Sequence, residues 1–245
     1  MRITVGNDKA ACAKRLGKKA SMLVIIQARM NSNRLPGKVL RELHGKPLLG
    51  WTIKRVRSAS QIKRIIVATS DQQSDDPIED YCRTTGEVCY RGSLNNVANR
   101  FAEILKIEKA EAFVRISGDS PLIDPQIVDL AVGLYQQTHC DLVTNIMLRT
   151  FPKGQSVEVL NSKTFINVNY SMTDVLDQEH VTAYYYKNLE NFRVVSFTSG
   201  EDAASIQLSV DTAEDLQMAL RIFKASRRHP QRWRELVKLR NQLSE

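Results

Sequence analysis

Apolar positions along this chain alternate between two spacings. Short runs rich in β-branched residues, Leu23 to Ile26, Arg64 to Ser70 and Ala112 to Ile116, read as strands buried on both faces of a sheet. Between the first two, Leu49, Ile53 and Val56 recur at helical spacing, with Lys54, Arg55 and Arg57 expected to face water. Val97, Phe101, Ile104 and Leu105 mark another helix between Asn95 and Lys106. Pro77 to Thr85 is a weaker helix, Glu87 to Tyr90 a short strand, and Pro125 opens a helix through Val128, Leu130, Val132 and Leu134. Strands alternating with helices in this way predict an α/β fold, a mostly parallel, doubly wound sheet flanked by helices.

After a strand at Asp141 to Asn145 the pattern changes. Residues 149–190 hold a Pro-Lys-Gly turn, a brief strand at Val157 to Val159 and two helical stretches, and read as a segment inserted over the carboxyl edge of the sheet. Within it Val175, Leu176, Val181, Tyr184, Tyr185 and Leu189 are more apolar than a solvated lid requires, as a dimer interface would be. Phe192 to Phe197 and Ile206 to Val210 return to strand, a helix follows to about Ser226, and a basic amphipathic helix, Gln231 to Leu243, closes the chain. Residues 1–21 show neither period and are expected to be a basic leader dispensable for folding, with the domain spanning 22–245.

Composition narrows the class. With 245 residues, 42% hydrophobic and 25% charged, the chain is ordinary globular material. No apolar run approaches the roughly 18 residues of a membrane span, and the N-terminal stretch lacks a continuous apolar signal core. Cys12, Cys82, Cys89 and Cys140 match neither a C-x-x-C metal pattern nor a disulfide framework, so a cytoplasmic protein with free thiols is expected. The net charge of +8 is concentrated at the ends: residues 1–21 carry +5 and residues 221–245 carry +6, leaving −3 on the body. Nucleic-acid binders place their cations on one face of the folded body, so this distribution argues against such a partner.

The stretch with the clearest chemistry follows the first strand. Arg29, Arg34 and Lys38 sit among Asn31, Ser32, Asn33, Pro36 and Gly37, a polar loop carrying three cations at the carboxyl end of a core strand. Backbone N–H groups, Arg and Lys there suit a polyanion such as a triphosphate. The loop matches neither a Walker A nor a dinucleotide-binding pattern. Asp119, in a Gly-Asp-Ser-Pro turn, and Asp211, ahead of a helix, should project from the same edge, and two carboxylates shared with phosphates are how Mg²⁺ is usually held. Either Asp can instead be a helix cap, Asp211 especially, with Glu214 three residues on.

These residues carry a resemblance. Q-A-R-x-x-S-x-R-L-P-G-K-V-L (Gln27 to Leu40), R-G-S (Arg91 to Ser93), R-I-S-G-D-S-P-L-I-D (Arg115 to Asp124), G-x-x-V-E-V (Gly154 to Val159), Glu179-His180 and V-D-T-x-E-D-L (Val210 to Leu216) run in order from about 22 to 220. Together they resemble the cytidylyltransferase family, in particular its spore-coat-polysaccharide branch, related to acylneuraminate and 3-deoxy-manno-octulosonate cytidylyltransferases. The resemblance implies a Rossmann-like nucleotidyltransferase core, Mg²⁺ as cofactor, a homodimer formed partly by the inserted segment, and CMP transfer from CTP to a sugar or sugar acid. It implies that Gln27, Ala28, Arg29, Ser32, Arg34, Lys38, Arg91, Gly92, Ser93 and Asp119 bind the nucleotide, and that Asp119 and Asp211 hold the metal. Arg29, Lys38, Asp119 and Asp211 would carry the chemistry, and Arg115, Glu158, Glu179 and His180 would meet the sugar. The chain departs from the family pattern at Leu94-Asn95-Asn96, where acidic residues are usual, and at Gln155-Ser156. Use of another nucleoside triphosphate, or a non-catalytic nucleotide- or sugar-binding role, are the alternatives to the CTP reaction.

Overall fold

The computed structural model describes residues 22–226 and 232–244, together with the backbone of Ile3–Val5. Most of the predicted leader, Cys12 and Gln231 lie outside the described residues. The strands are β1 (Ile3–Val5), β2 (Met22–Gln27), β3 (Glu42–Leu43), β4 (Lys46–Pro47), β5 (Ile62–Ser70), β6 (Val88–Gly92), β7 (Ala112–Ser117), β8 (Leu142–Thr144), β9 (Glu158–Asn161) and β10 (Val194–Phe197). The helices are α1 (Leu48–Arg57), α2 (Asp76–Thr85), α3 (Val97–Glu108), α4 (Pro125–Thr138), α5 (Ser162–Asn169), α6 (Val175–Glu179), α7 (Ala183–Lys187), α8 (Ala213–Ala225) and α9 (Trp233–Gln242).

Eight strands form one sheet in the order β1-β10-β8-β9-β7-β2-β5-β6, and β3 and β4 pair separately. β2 runs parallel to both neighbours, with Ile25 opposite Ile66 of β5 and Arg115 of β7. Its side chains alternate between two cores. Val24 and Ile26 pack with Ile53, Val56, Ile127 and Val128 of α1 and α4. Leu23 and Ile25 pack on the other face with Phe101 of α3, Phe113 and Phe165, whose rings lie 5.2–6.4 Å apart. A strand covered on both sides can be apolar throughout, which is why the run could be read directly. A third core, Leu35, Leu43, Trp51, Val210, Phe223 and Leu236, fixes α8 and α9 beneath the loop that follows β2.

Four expectations are corrected. Arg55 is buried rather than solvated: its Nε donates to the Ile123 carbonyl at 2.6 Å, and burial pushes its pKa down to about 10 against the opposing pull of Asp124. Part of the predicted insertion belongs to the sheet itself, because β9 lies antiparallel between β7 and β8. Ile206 to Val210 is not a strand; the segment is extended, makes one parallel bridge between Gln207 and Lys153, and bonds otherwise to loops. Finally, Ile3–Val5, placed by the sequence in a dispensable leader, pairs antiparallel with β10, Ile3 opposite Phe197.

This last pairing has a measurable consequence. A chain beginning at Met22 leaves the β10 edge open, and losing a few net backbone hydrogen bonds of about 0.5–1.5 kcal/mol each is expected to lower Tm by several degrees. An unchanged melting curve would show that β1 adds nothing to stability.

Candidate active site

The loop after β2 is tied at its neck. The Met30 N–H donates to Asp75 Oδ1 at 2.7 Å, and the Met30 carbonyl accepts from the Gly37 N–H at 2.8 Å. Gly37 sits at φ +70°, a left-handed conformation suited to glycine, and so turns the chain into a short 3-10 helix that begins at Lys38. Leu35 is buried as an anchor, leaving Arg29, Ser32 and Arg34 on the wall of a cavity of about 330 Å³.

Asp119 and Asp211 reach this cavity from two different segments of the chain. Asp119 follows β7, where the Gly118 N–H donates to the Gln27 carbonyl at 2.9 Å and holds the two strand ends together. Asp211 ends the extended segment. The Lys153 N–H donates to the Ile206 carbonyl, the Leu208 N–H to the Lys153 carbonyl, and the Val210 N–H to the Asp119 carbonyl at 3.0 Å. Asp211 is not the helix cap. That role belongs to Thr212 and Asp215, which form a reciprocal capping box on α8, so the Asp211 carboxylate is free to face the loop.

Lys38 joins the two. Its Nζ donates to Asp119 Oδ2 at 2.6 Å and to Asp211 Oδ1 at 2.7 Å, with Arg34 3.1 Å from the same Asp211 oxygen. Burial disfavours the Lys38 ammonium, but the Coulombic and hydrogen-bonding pull of Asp119, then of Asp211, outweighs it and raises the pKa above 10.5. For Asp211 burial acts upward, and hydrogen bonding and charge from Lys38, with Arg34, bring the net shift below 3.8. Lys38 therefore contributes stability that is present below its unfolded value and lost as pH rises through the raised one. Asp211 contributes stability present above its unfolded value and lost as pH falls through the lowered one. The cross-link is intact across the neutral range.

Gln27, Ala28, Glu179 and His180 also line the cavity, and Arg29 pairs with Glu179 at 3.1 Å, an exposed contact worth about 0–1 kcal/mol. Other predicted residues lie elsewhere. Arg91 pairs with Asp76 and Glu79 at 2.6 Å each and with the Ser70 and Gln72 carbonyls, while Ser93 Oγ accepts from the Asn96 N–H in the turn before α3. Arg115 and Glu158 stand opposite each other in the β7–β9 register and form an ion pair there. Glu158, 1% exposed, is further bonded by Tyr186 and Thr182, and Arg115 Nε donates to Gln27 Oε1 at 3.1 Å. Neither charge lines the cavity; Arg115, held by Glu158, orients Gln27, which does. Sequence reasoning missed Asn31, Val97 and Arg100, which do line it; the only signal for Arg100 was its place on the first turn of a helix at the strand ends.

Among the described residues no cluster of three or more His, Cys, Asp or Glu side chains is arranged to hold a metal. Two carboxylates in reach of one cation still suit Mg²⁺, which takes one or two carboxylates and completes its shell with phosphates and water.

A largely parallel α/β sheet that presents a cationic loop and two carboxylates at its strand ends has the arrangement of a nucleotidyltransferase. The chain belongs to the cytidylyltransferase family, whose model, described as Cytidylyltransferase, matches residues 23–243. It is 34% identical over 231 residues to Spore coat polysaccharide biosynthesis protein SpsF of Bacillus subtilis (strain 168), spanning 90% of this chain and 94% of that one. It is 35% identical over 132 residues to 3-deoxy-manno-octulosonate cytidylyltransferase of Chlamydia pneumoniae, 51% of this chain and 50% of that one. Its fold superimposes on a cytidylyltransferase from Leptospira borgpetersenii serovar Hardjo-bovis (strain JB197) with a TM-score of 0.86 and 27% identity, covering 92% and 95% of the two chains. No helix among the described residues is long and apolar enough to cross a membrane.

Gly154 offers a test of how Asp211 is placed. It has φ +90°, and a Cβ there would lie 2.5 Å from the Ser209 nitrogen, in the segment leading to Asp211. Gly154→Ala is expected to cost more than about 1 kcal/mol of stability and to lower activity in the fraction that folds. Wild-type melting and turnover would show that this approach is not needed.

Proposed function

We propose that the protein is a cytoplasmic, Mg²⁺-dependent cytidylyltransferase of surface-polysaccharide biosynthesis that transfers CMP from CTP to a sugar or sugar acid and releases pyrophosphate. The observation that carries this reading is the Lys38 ammonium held between Asp119 and Asp211 in a cavity also lined by Arg29 and Arg34. An acceptor oxygen attacks the α-phosphorus in line, the bond to the β-phosphate oxygen breaks, and pyrophosphate leaves. Charge grows on the bridging and terminal oxygens as this happens. Arg29, Arg34 and Lys38, as donors fixed in advance on the cavity wall, would neutralise it. Asp119 and Asp211 would hold Mg²⁺, which when bound adds positive charge to the phosphates and helps to align them. His180, on the cavity wall beside Glu179, would be the imidazole that takes the acceptor proton, and both would supply polar contacts for a sugar.

Asp119→Asn and Asp211→Asn are each expected to reduce pyrophosphate release from CTP by about 10²-fold or more while Tm shows an intact fold. Full turnover in both variants would remove the mechanism.

A homodimer through the 170–176 region is part of the proposal. Val181 and Tyr185 are spent in the protein's own core, but Tyr170, Val175 and Leu176 are 71%, 66% and 55% exposed. Light scattering at micromolar concentration is expected to give twice the chain mass, and the double variant Val175→Asp, Leu176→Asp to give the chain mass alone. A monomeric wild type would defeat the dimer.

A further inference from the structure

Among the described residues Arg100 is a cation of the cavity with no carboxylate bonded to it. It is 3% exposed, lines the cavity from the first turn of α3, and its Nε and Nη1 meet no acceptor. A buried guanidinium without partners is costly, and such a group in a native fold calls for an explanation. Its nearest charges do not supply one. Burial lowers its pKa, Asp75 and Asp71 act in the opposite direction, and Arg29 adds to the lowering. Asp75 is already engaged, by the Met30 N–H at Oδ1 and by the Ser70 N–H and hydroxyl at Oδ2.

The surroundings hold Arg100 in this position. Gly92 ends β6 against the Arg100 stem, where a Cβ would lie 2.7 Å from Arg100 Cγ, so the glycine of the Arg91-Gly92-Ser93 motif makes room for this side chain. Val97, three residues earlier on α3, and Ala28 give the same cavity buried apolar wall. The other cations are divided differently: Lys38 and Arg34 share Asp211, and Arg29 faces Glu179. Phosphates have those cations available. Donors set among apolar walls suit a flat ring with acceptors on its edge.

We propose that Arg100 reads the nucleobase, its guanidinium donating to O2 and N3 of cytosine. Cytosine presents these two adjacent acceptors to a planar fork of N–H donors. Uracil presents a donor at N3, which would face the guanidinium and leave one of its N–H groups unpaired. Arg100 is then a specificity-determining residue that favours CTP over UTP, because a site built to hydrogen-bond a partner penalises the analogue that cannot. The assignment rests on the CTP reading above.

The test is calorimetric binding of CTP, CMP, UTP and inorganic tripolyphosphate, with Mg²⁺ and without acceptor. Arg100→Met is expected to weaken CTP and CMP by the same ~10- to 100-fold, to leave tripolyphosphate unchanged and to erase the CTP-over-UTP preference, with Tm equal to wild type or higher. Gly92→Ala should reproduce the CTP loss, although it removes no hydrogen-bonding group. Should Arg100→Met fail to fold, Arg100→Lys keeps the charge without the fork and is expected to lose the same discrimination. Wild-type CTP affinity and selectivity in the Arg100 variant would overturn the assignment, as would a parallel loss of tripolyphosphate, which would put the guanidinium on phosphate. A wild-type protein that binds no CTP would instead overturn the functional reading beneath it.

Discussion

The Lys38 ammonium is the point at which three separate parts of the chain meet. The loop after β2 brings Lys38, the turn after β7 brings Asp119, and the extended segment after Lys153 and Gln207 brings Asp211. Asp119 and Asp211 lie outside helices and strands, and Lys38 only opens a three-residue 3-10 helix, so each is fixed by hydrogen bonds one step behind it. Asp75 holds the loop neck, the Gln27 carbonyl holds Gly118, and the Asp119 carbonyl holds Val210. Half-buried ion pairs contribute little when isolated. Here one cation shared by two carboxylates keeps like charges together that would otherwise repel, and the site geometry depends on it more than the global stability does.

The sheet explains why those segments can be held so closely. β2 is covered by α1 and α4 on one face and by α3 on the other, so its carboxyl end has little freedom. β5 and β7 run beside it in parallel register, and all three end at the same edge. Loops leaving such an edge start from known positions and need only short anchors. The capping box at Thr212 and Asp215 does the same for α8 and releases Asp211 from capping.

What the sequence disclosed follows from how locally each feature is determined. β2 and its loop are legible because an unbroken apolar run followed by cations, Pro and Gly has few other readings. The parallel alternation was legible for the same reason. Side chains whose fate depends on a distant partner were not: Arg55 is buried with its Nε on the Ile123 carbonyl across the core, and Arg115 and Glu158 pair because the β7–β9 register sets them opposite each other. β9 was mistaken for part of an insertion, since its place in the sheet is decided by β7 and β8 and by nothing in residues 157–161. Arg100 lies on a helix that is legible only from Val97, Phe101, Ile104 and Leu105. Its burial comes from the glycine at 92, which no helical periodicity reports.

The two departures from the family pattern can be placed by the same reasoning. Asn96 stands where an acidic residue is usual, and its side chain caps α3 by accepting from the Asn99 N–H at 2.8 Å, a task Asp and Asn perform about equally. The usual Asp before Val157 is Ser156 here, whose Oγ accepts from Arg149 Nη1 at 3.2 Å; Gln155 beside it is fully buried, its amide accepting from the Asp124 N–H and donating to the Leu122 carbonyl, both at 2.8 Å. Both substitutions exchange a charge for a neutral hydrogen-bonding group at a structural position, and neither residue lines the cavity. The Lys38, Asp119 and Asp211 cluster is therefore untouched by them. A change at Glu179 or His180, at the end of a short, partly exposed helix, would by contrast alter the cavity wall itself, which positions 94–96 and 155–156 do not form.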